Sequence, residues 1–292
     1  MSRPIGRIGV WLLCAACVSC PLVRGQNSAT GTGSKHQPFA KAGTPRQTQR
    51  IRFFDVKHIK AELAIDTQNH RLSGVVTHTL SPLHPHLTQL ELDCGPDLKV
   101  TKVTVGANAT PCSFETKGGK LSIKLDKAYG LKDTIDVAIT YSGSPARGLY
   151  FVAPEAPYPK KTLSFWTQGE SEDTRCWLPC YDYPNERATS EMIITVPKPL
   201  FVLSNGVLAE TRQDAGEKTT YHWKMSEPHV SYLISLAGAD FAIYHDRVGD
   251  LPLDYYVAKH VDEATARRFM GHTPKMFRFF GEKTGQPYPY AK

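Results

Sequence analysis

Residues 54–80 read FDVKHIKAELAIDTQNHRLSGVVTHTL, and this stretch decides the fold class. Ile59, Ala61, Leu63 and Ile65 recur at every second position, as do Leu72, Gly74, Val76, His78 and Leu80. Successive strand side chains point to opposite faces, so a period of two means an extended segment with one buried face. Thr67-Gln68-Asn69, between the two runs, has the composition of a turn. The spacing therefore predicts two strands joined by a tight connection.

The same alternation continues outward toward the C-terminus. Leu90 and Leu92 carry it, then Leu121, Ile123 and Leu125, then Ile135, Val137, Ile139 and Tyr141. Gly118-Gly119, Ser142-Gly143 and Asn205-Gly206 supply turns. Further strands are predicted at 191–196, 219–224, 230–237 and 241–245. Short strands with almost no helical periodicity before Asp262 predict a mostly β protein, an antiparallel β-sandwich or saddle over 51–245. Roughly two hundred such residues are ample for one hydrophobic core.

Near Asp246 the character changes. Residues 251–258 read as a strand, and Asp262 is placed to cap a helix with apolar positions at Phe269, Met270, Phe277 and Phe280. Pro274 lacks the amide a helix interior needs, so it should kink or split that helix. One strand and one helical region cannot close a core, so 246–292 reads as the opening of a second domain.

Toward the N-terminus, Arg3 and Arg7 precede an apolar run from Ile8 to Val18, and Val23-Arg24-Gly25 offers a cleavage site before Gln26. Residues 1–25 have the layout of a secretory signal peptide. The apolar run is shorter than the roughly 20 residues a bilayer-spanning helix needs, so no transmembrane segment is expected. A lipid anchor on Cys17 or Cys20 is the rival reading. It fits poorly, because the position three residues before each is a cysteine. The expected location is outside the cytoplasm, periplasmic or extracellular. Residues 26–50 are polar and read as a disordered tether, unable to bury enough surface to offset chain entropy.

The basic balance belongs to these leading segments. The chain holds 35 Lys and Arg against 28 Asp and Glu. Seven of the bases and none of the acids lie in 1–50, which leaves 28 against 28 in the remainder. A neutral body argues against a nucleic-acid partner, which requires a basic face. Past the signal segment the cysteines are Cys94, Cys112, Cys176 and Cys180. Export permits disulfides, with Cys94–Cys112 and Cys176–Cys180 the pairings to test, and four buried thiols are the equal alternative.

The most informative stretch is Thr167-Gln168-Gly169-Glu170-Ser171-Glu172-Asp173-Thr174-Arg175, followed by Cys176-Trp177-Leu178-Pro179-Cys180-Tyr181-Asp182-Tyr183-Pro184. It resembles the aminopeptidase N and leukotriene A4 hydrolase family of zinc metallopeptidases, the gluzincins. Members carry Thr/Ser-Gln-x-Glu/Gln, an Arg five residues after the Glu/Gln, then Pro-Cys-x-Asp-x-Pro. Gln168, Glu170, Arg175, Pro179, Cys180, Asp182 and Pro184 match in register. Gly169 is smaller than the residue in many members, and Tyr183 replaces a common Glu. Arg147-Gly148-Leu149-Tyr150, Leu203-Ser204-Asn205-Gly206, Tyr232-Leu233-Ile234, Gly238-Ala239-Asp240-Phe241 and Gln286-Pro287-Tyr288-Pro289-Tyr290 match further landmarks in the same order.

The resemblance implies an aminopeptidase-like N-terminal β domain, followed by the first strand and helix of an α/β, thermolysin-like catalytic domain. It implies that Glu170 binds the free α-amino group of a peptide, with Gln168 and Gly169 lining the same site. An ammonium entering a partly dry cleft needs a charged hydrogen-bond partner. From the residues alone, Glu170 reads as an ordinary surface carboxylate. Arg175, Asp182 and Pro179 read as structural, because a proline-rich segment needs side chains to satisfy its backbone. A carboxylate metal site from Glu170, Glu172 and Asp173 is the weaker reading, since the family uses this loop without metal.

The family's chemistry also needs His-Glu-x-x-His, which places two imidazoles on one helix face for zinc and a Glu beside the metal-bound water. None of the eleven histidines sits in that motif, and Gly-x-Met-Glu-Asn is absent. No Gly-x-Ser-x-Gly elbow or phosphate-binding glycine loop offers other chemistry. The expected function is the substrate-docking front of an exported zinc aminopeptidase, inactive alone. Zinc would be held by a catalytic domain outside these residues, and the partner is a peptide with a free N-terminus. The alternative is a secreted, non-catalytic sandwich that binds peptides or proteins.

Overall fold

The computed structural model describes residues 49–159 and 161–292. The signal segment and most of the tether lie outside the described residues. The tether's expected limit at 50 is too late, because Arg50 is held by side-chain bonds to Asp93 and a backbone bond from Asn185.

The opening stretch folds as its alternation requires. β1 (Phe54–Asp66) and β2 (Arg71–Pro82) pair antiparallel, with Ala61 opposite Val76 and Ile65 opposite Leu72. The Asp66 carboxylate closes their turn by accepting from the amides of Gln68 (3.0 Å) and Asn69 (3.1 Å). β3 (Leu87–Asp93), β4 (Leu98–Val105), β5 (Thr110–Pro111), β6 (Ser113–Lys117), β7 (Lys120–Tyr129) and β8 (Ile135–Gly143) follow. Then come β9 (Leu149–Val152), β10 (Ser164–Thr167), β11 (Ala188–Pro197), β12 (Phe201–Ser204), β13 (Val207–Asp214) and β14 (Lys218–His229). β15 (Leu236–Ala239), β16 (Phe241–Val248), β17 (Leu251–Ala258), α1 (Glu263–Met270) and α2 (Thr273–Thr284) complete the chain.

The protein is mostly β. An eight-stranded sheet runs β13-β14-β11-β1-β2-β8-β4-β5, a four-stranded sheet runs β12-β15-β10-β9, and a three-stranded sheet runs β3-β7-β6. Pairing is antiparallel except between β1 and β11, which run parallel with Ala61 opposite Met192. One core joins the three sheets, including Leu63, Ile139, Leu121, Ile123, Phe165, Trp177 and Trp223. Burying each large side chain contributes about 1.5–3 kcal/mol, which offsets the chain entropy of ordering the strands.

Two expectations are corrected here. Residues 230–237 are not one strand: Ser231–Leu233 form a 3-10 turn before β15, because the Ser231 hydroxyl is drawn to Asp182 at 2.6 Å. A domain boundary at 245/246 would cut β16, which pairs along its whole length with β17 as a separate hairpin. Asp262 caps α1 by accepting from the Thr265 amide at 2.7 Å. The helical region is split, with Pro274 in the first turn of α2 where its missing amide costs nothing. Lys292 ties the last residues back to the large domain, donating to the carbonyls of Ser204 (2.7 Å) and Gly206 over the Trp223 ring. Among the described residues no helix is long and apolar enough to cross a membrane.

Candidate functional site: the loop after strand β10

β10 delivers the loop. Phe165 points into the core while Trp166, one residue on, lies on the opposite face stacked on Tyr150 at 4.7 Å. Gln168 leaves the strand with its amide donating to the Gly148 carbonyl at 2.9 Å. Gly148 sits at φ +78°, and a Cβ there would lie 2.2 Å from the Asp173 carbonyl, so the turn that receives Gln168 requires glycine.

Gln168 and Glu170 are exposed, and Gly169 between them is buried. A Cβ on Gly169 would fall 2.5 Å from the Thr174 hydroxyl and 2.6 Å from the Tyr232 carbonyl. Its carbonyl accepts from the Asp173 amide at 2.8 Å. Any side chain at Gly169 would collide with Thr174 and Tyr232, so the loop requires glycine there. The Glu170–Ser171 peptide bond is cis.

The carboxylates of the loop differ in their partners. Glu172 is bonded to Arg175, and Asp173 to Arg147 at 2.8 Å. Among the described residues Glu170 has no ion-pair or hydrogen-bond partner for its side chain. No three-carboxylate cluster forms, since two of the three are turned to arginines.

Arg175 and Asp182 tie the loop down. Asp182 Oδ2 accepts from the Arg175 amide (3.0 Å) and Nε (3.3 Å), and Arg175 Nη2 donates to the Asp182 carbonyl at 2.8 Å. Asp182 Oδ1 accepts from Ser231. Burial raises the Asp182 carboxyl, and its bonds to Ser231 and Arg175 only partly offset this. Pro179 is buried, and its carbonyl accepts from His78 Nε2 at 2.8 Å. That bond fixes the proton on Nε2. Burial holds the His78 imidazole down to about 4, so the ring is neutral.

The sequence did not single out Asp93. Alternation along β3 puts Leu90 and Leu92 inward and Asp93 outward, yet its side chain is fully buried. It accepts from Arg50 Nη1 (2.6 Å), Lys120 Nζ (2.8 Å) and the Asp182 amide (2.9 Å), with Arg175 Nη1 at 3.3 Å. Burial raises this carboxyl, but those donors outweigh it and leave it below the usual carboxylate range. The signal appears only when strands are placed, because all three cations lie far from Asp93 in the chain.

The four cysteines are unpaired, Cys94 and Cys180 buried, Cys112 and Cys176 half-buried. Neither disulfide pairing is present. Burial pushes the Cys94 thiol up to about 11, so it behaves as a small hydrophobe. His84 and His86 line an open cavity of about 1200 Å³ beside Phe53 and Phe114, remote from the loop in sequence. Among the described residues no group of three His, Cys, Asp or Glu side chains is arranged to hold a metal ion. The described residues thus do not make a zinc site.

Residues 56–233 match the peptidase M1 N-terminal domain. With most of its length covered, the chain belongs to that family of metallopeptidase N-terminal domains. Mouse aminopeptidase B is 27% identical over 266 residues, covering 82% of this chain and 40% of the mouse protein. Human aminopeptidase B is 25% identical over 233 residues, covering 72% and 35%. The chain thus spans well under half the length of these relatives. The M1 zinc metallopeptidase of Deinococcus radiodurans superposes with a TM-score of 0.64 at 20% identity, over 82% of this chain and 55% of that one. Native yeast LTA4 hydrolase gives 0.66 at 20%, over 82% and 37%. These likenesses show the fold.

Proposed function

We propose that this chain is the amine-docking front of an exported zinc aminopeptidase, with Glu170 receiving the free α-amino group of a peptide and Gln168 lining the same place. The observation that carries the reading is the unequal pairing of three neighbouring carboxylates. Glu172 and Asp173 are each matched by an arginine, while Glu170 stands exposed without a cation among the described residues. An incoming ammonium supplies the missing partner, through a charge-assisted hydrogen bond. A blocked amine offers no positive charge, so the loop selects free N-termini and sets which peptide bond is presented. The similarity to aminopeptidases supports this substrate class. Zinc and the water it activates belong to residues outside this chain, which alone performs no hydrolysis.

The test is ligand binding by nuclear magnetic resonance on the full chain. Leucinamide should shift resonances around 168–176 and N-acetyl-leucinamide should not. Glu170→Ala should abolish that preference while changing stability by less than about 0.5 kcal/mol. A leucinamide response undiminished by Glu170→Ala would remove Glu170 from its role. Metal-dependent turnover of an amino-acid arylamide by this chain would overturn the assignment of chemistry to another module. A reading frame continuing past Lys292 into His-Glu-x-x-His would support it.

A further inference from the structure

Asp93, which lies outside the motif, touches the docking loop at four points. Its Oδ2 accepts from the Asp182 amide, and its Oδ1 lies 3.3 Å from Arg175 Nη1. Its backbone exchanges two hydrogen bonds with Cys180, at 2.7 and 3.1 Å. Two residues on, the Gly95 amide donates to the Arg175 carbonyl at 2.7 Å. One short segment at the end of β3 therefore holds residues 175, 180 and 182 together. Arg50 and Lys120 complete the cage around the carboxylate, from the N-terminal arm and from β7.

We propose that Asp93 is the positioning residue of the docking loop: it fixes Arg175, and through it the rim from which Glu170 is presented. The proposal rests on the reading of Glu170 given above. The mechanical link is short. Arg175 lies in the 3-10 turn Thr174–Cys176, and the turn from Gly169 to Asp173 is closed by its own backbone bond. Thr174 is held from behind by the Ser231 carbonyl at 3.1 Å. A shift of Arg175 has no slack to absorb it before Glu170.

Stability alone is a weak reason for such a cage. A buried ion cluster is often no better than well-packed apolar residues, because desolvation offsets the attraction. Orientation is what apolar residues cannot supply, since a carboxylate fixes the direction of each donor. Glu186 provides the comparison. It too is a buried carboxylate, accepting from Arg52 (2.7 Å) and the amides of Val56 (3.2 Å) and Arg187 (3.0 Å), but it braces the start of β1 and bonds no residue of 168–182.

The experiment uses the full chain and three variants, Asp93→Asn, Lys120→Met and Glu186→Gln. Amide hydrogen exchange is followed across 168–178 and across β1, β2 and β8. The preference for leucinamide over N-acetyl-leucinamide is measured in parallel. Asp93→Asn should speed exchange in 168–178 by about tenfold, the loss expected for a charged hydrogen bond, with the core strands unchanged. It should also shrink the amine preference. Lys120→Met should act in the same direction and less, and Glu186→Gln should leave both readouts at wild type. Uniform acceleration across the domain, or the same loop response from Glu186→Gln, would make Asp93 merely structural and overturn the proposal. Should Asp93→Asn fail to fold, an unchanged loop in Lys120→Met overturns it instead. A wild-type chain without amine preference would defeat the reading of Glu170, while the exchange data would still decide whether Asp93 holds the loop.

Discussion

Residues 174–182 and 263–284 are both rich in large apolar side chains, and the fold treats them oppositely. In the first, Trp177, Leu178, Cys180 and Tyr181 are all buried. In the second, Phe269 is 72% exposed and Met276, Phe279 and Phe280 more than half exposed, and only Ala266 is buried. Composition does not separate them. The first segment passes between sheets that supply surface on every side, whereas α1 and α2 meet little beyond the β16–β17 hairpin. Hydrophobicity makes burial favourable, but a facing surface has to be present to provide it.

Substitutions on and beside the two segments test this contrast. Trp177→Ala removes a fully buried indole and should cost about 3–5 kcal/mol, read as a fall in the urea midpoint. A cost below 1 kcal/mol would deny the segment its anchoring role. Next is pH. The His78 ring beneath Pro179 stays neutral until about 4, while an unfolded histidine protonates near 6.5. Between those values the unfolded chain binds more protons, so stability falls as pH falls, by roughly 3 kcal/mol from this ring. His78→Gln should flatten the profile between pH 6.5 and 4, and an unchanged slope would remove His78 as its cause. Gly169→Ala forces a methyl against Thr174 and Tyr232 and should cost about 1–3 kcal/mol. Phe280→Ser, on the open helical face, should change stability by less than about 0.5 kcal/mol. In limited proteolysis, cuts should fall first within 246–292 while the larger β body persists. An intact 246–292 segment under those conditions would mean that the open face is not a weak point.

Much of the architecture was legible. Strands with one buried face announced themselves by alternation: β1, β2, β7 and β8 all fall where Ile59–Ile65, Leu72–Leu80, Leu121–Leu125 and Ile135–Tyr141 put them. β13 was not, because every residue from Val207 to Gln213 is exposed and no face is marked. β9, β10 and β12 span only four residues each, too few to show a period. At the site, Gln168, Glu170, Arg175 and Asp182 stood out through the resemblance to the family motif. The close packing around Gly169 was not legible, because it depends in part on Tyr232, over sixty residues away. Asp93 was missed because its cations are 43, 27 and 82 positions distant from it.

The chain by itself determined the strand content, the turns at 67–69 and 118–119, the family motif and the absence of His-Glu-x-x-His, all of which follow from residue type and local spacing, whereas the turn expected at Ser142-Gly143 proved to be the end of β8. Tertiary structure alone decided which carboxylates are neutralised. Charge pairing is settled by distances of about 3 Å between groups remote in sequence, and only the assembled sheets set those distances. Among the described residues, the same assembly left Glu170 without a cation and enclosed Asp93 among three.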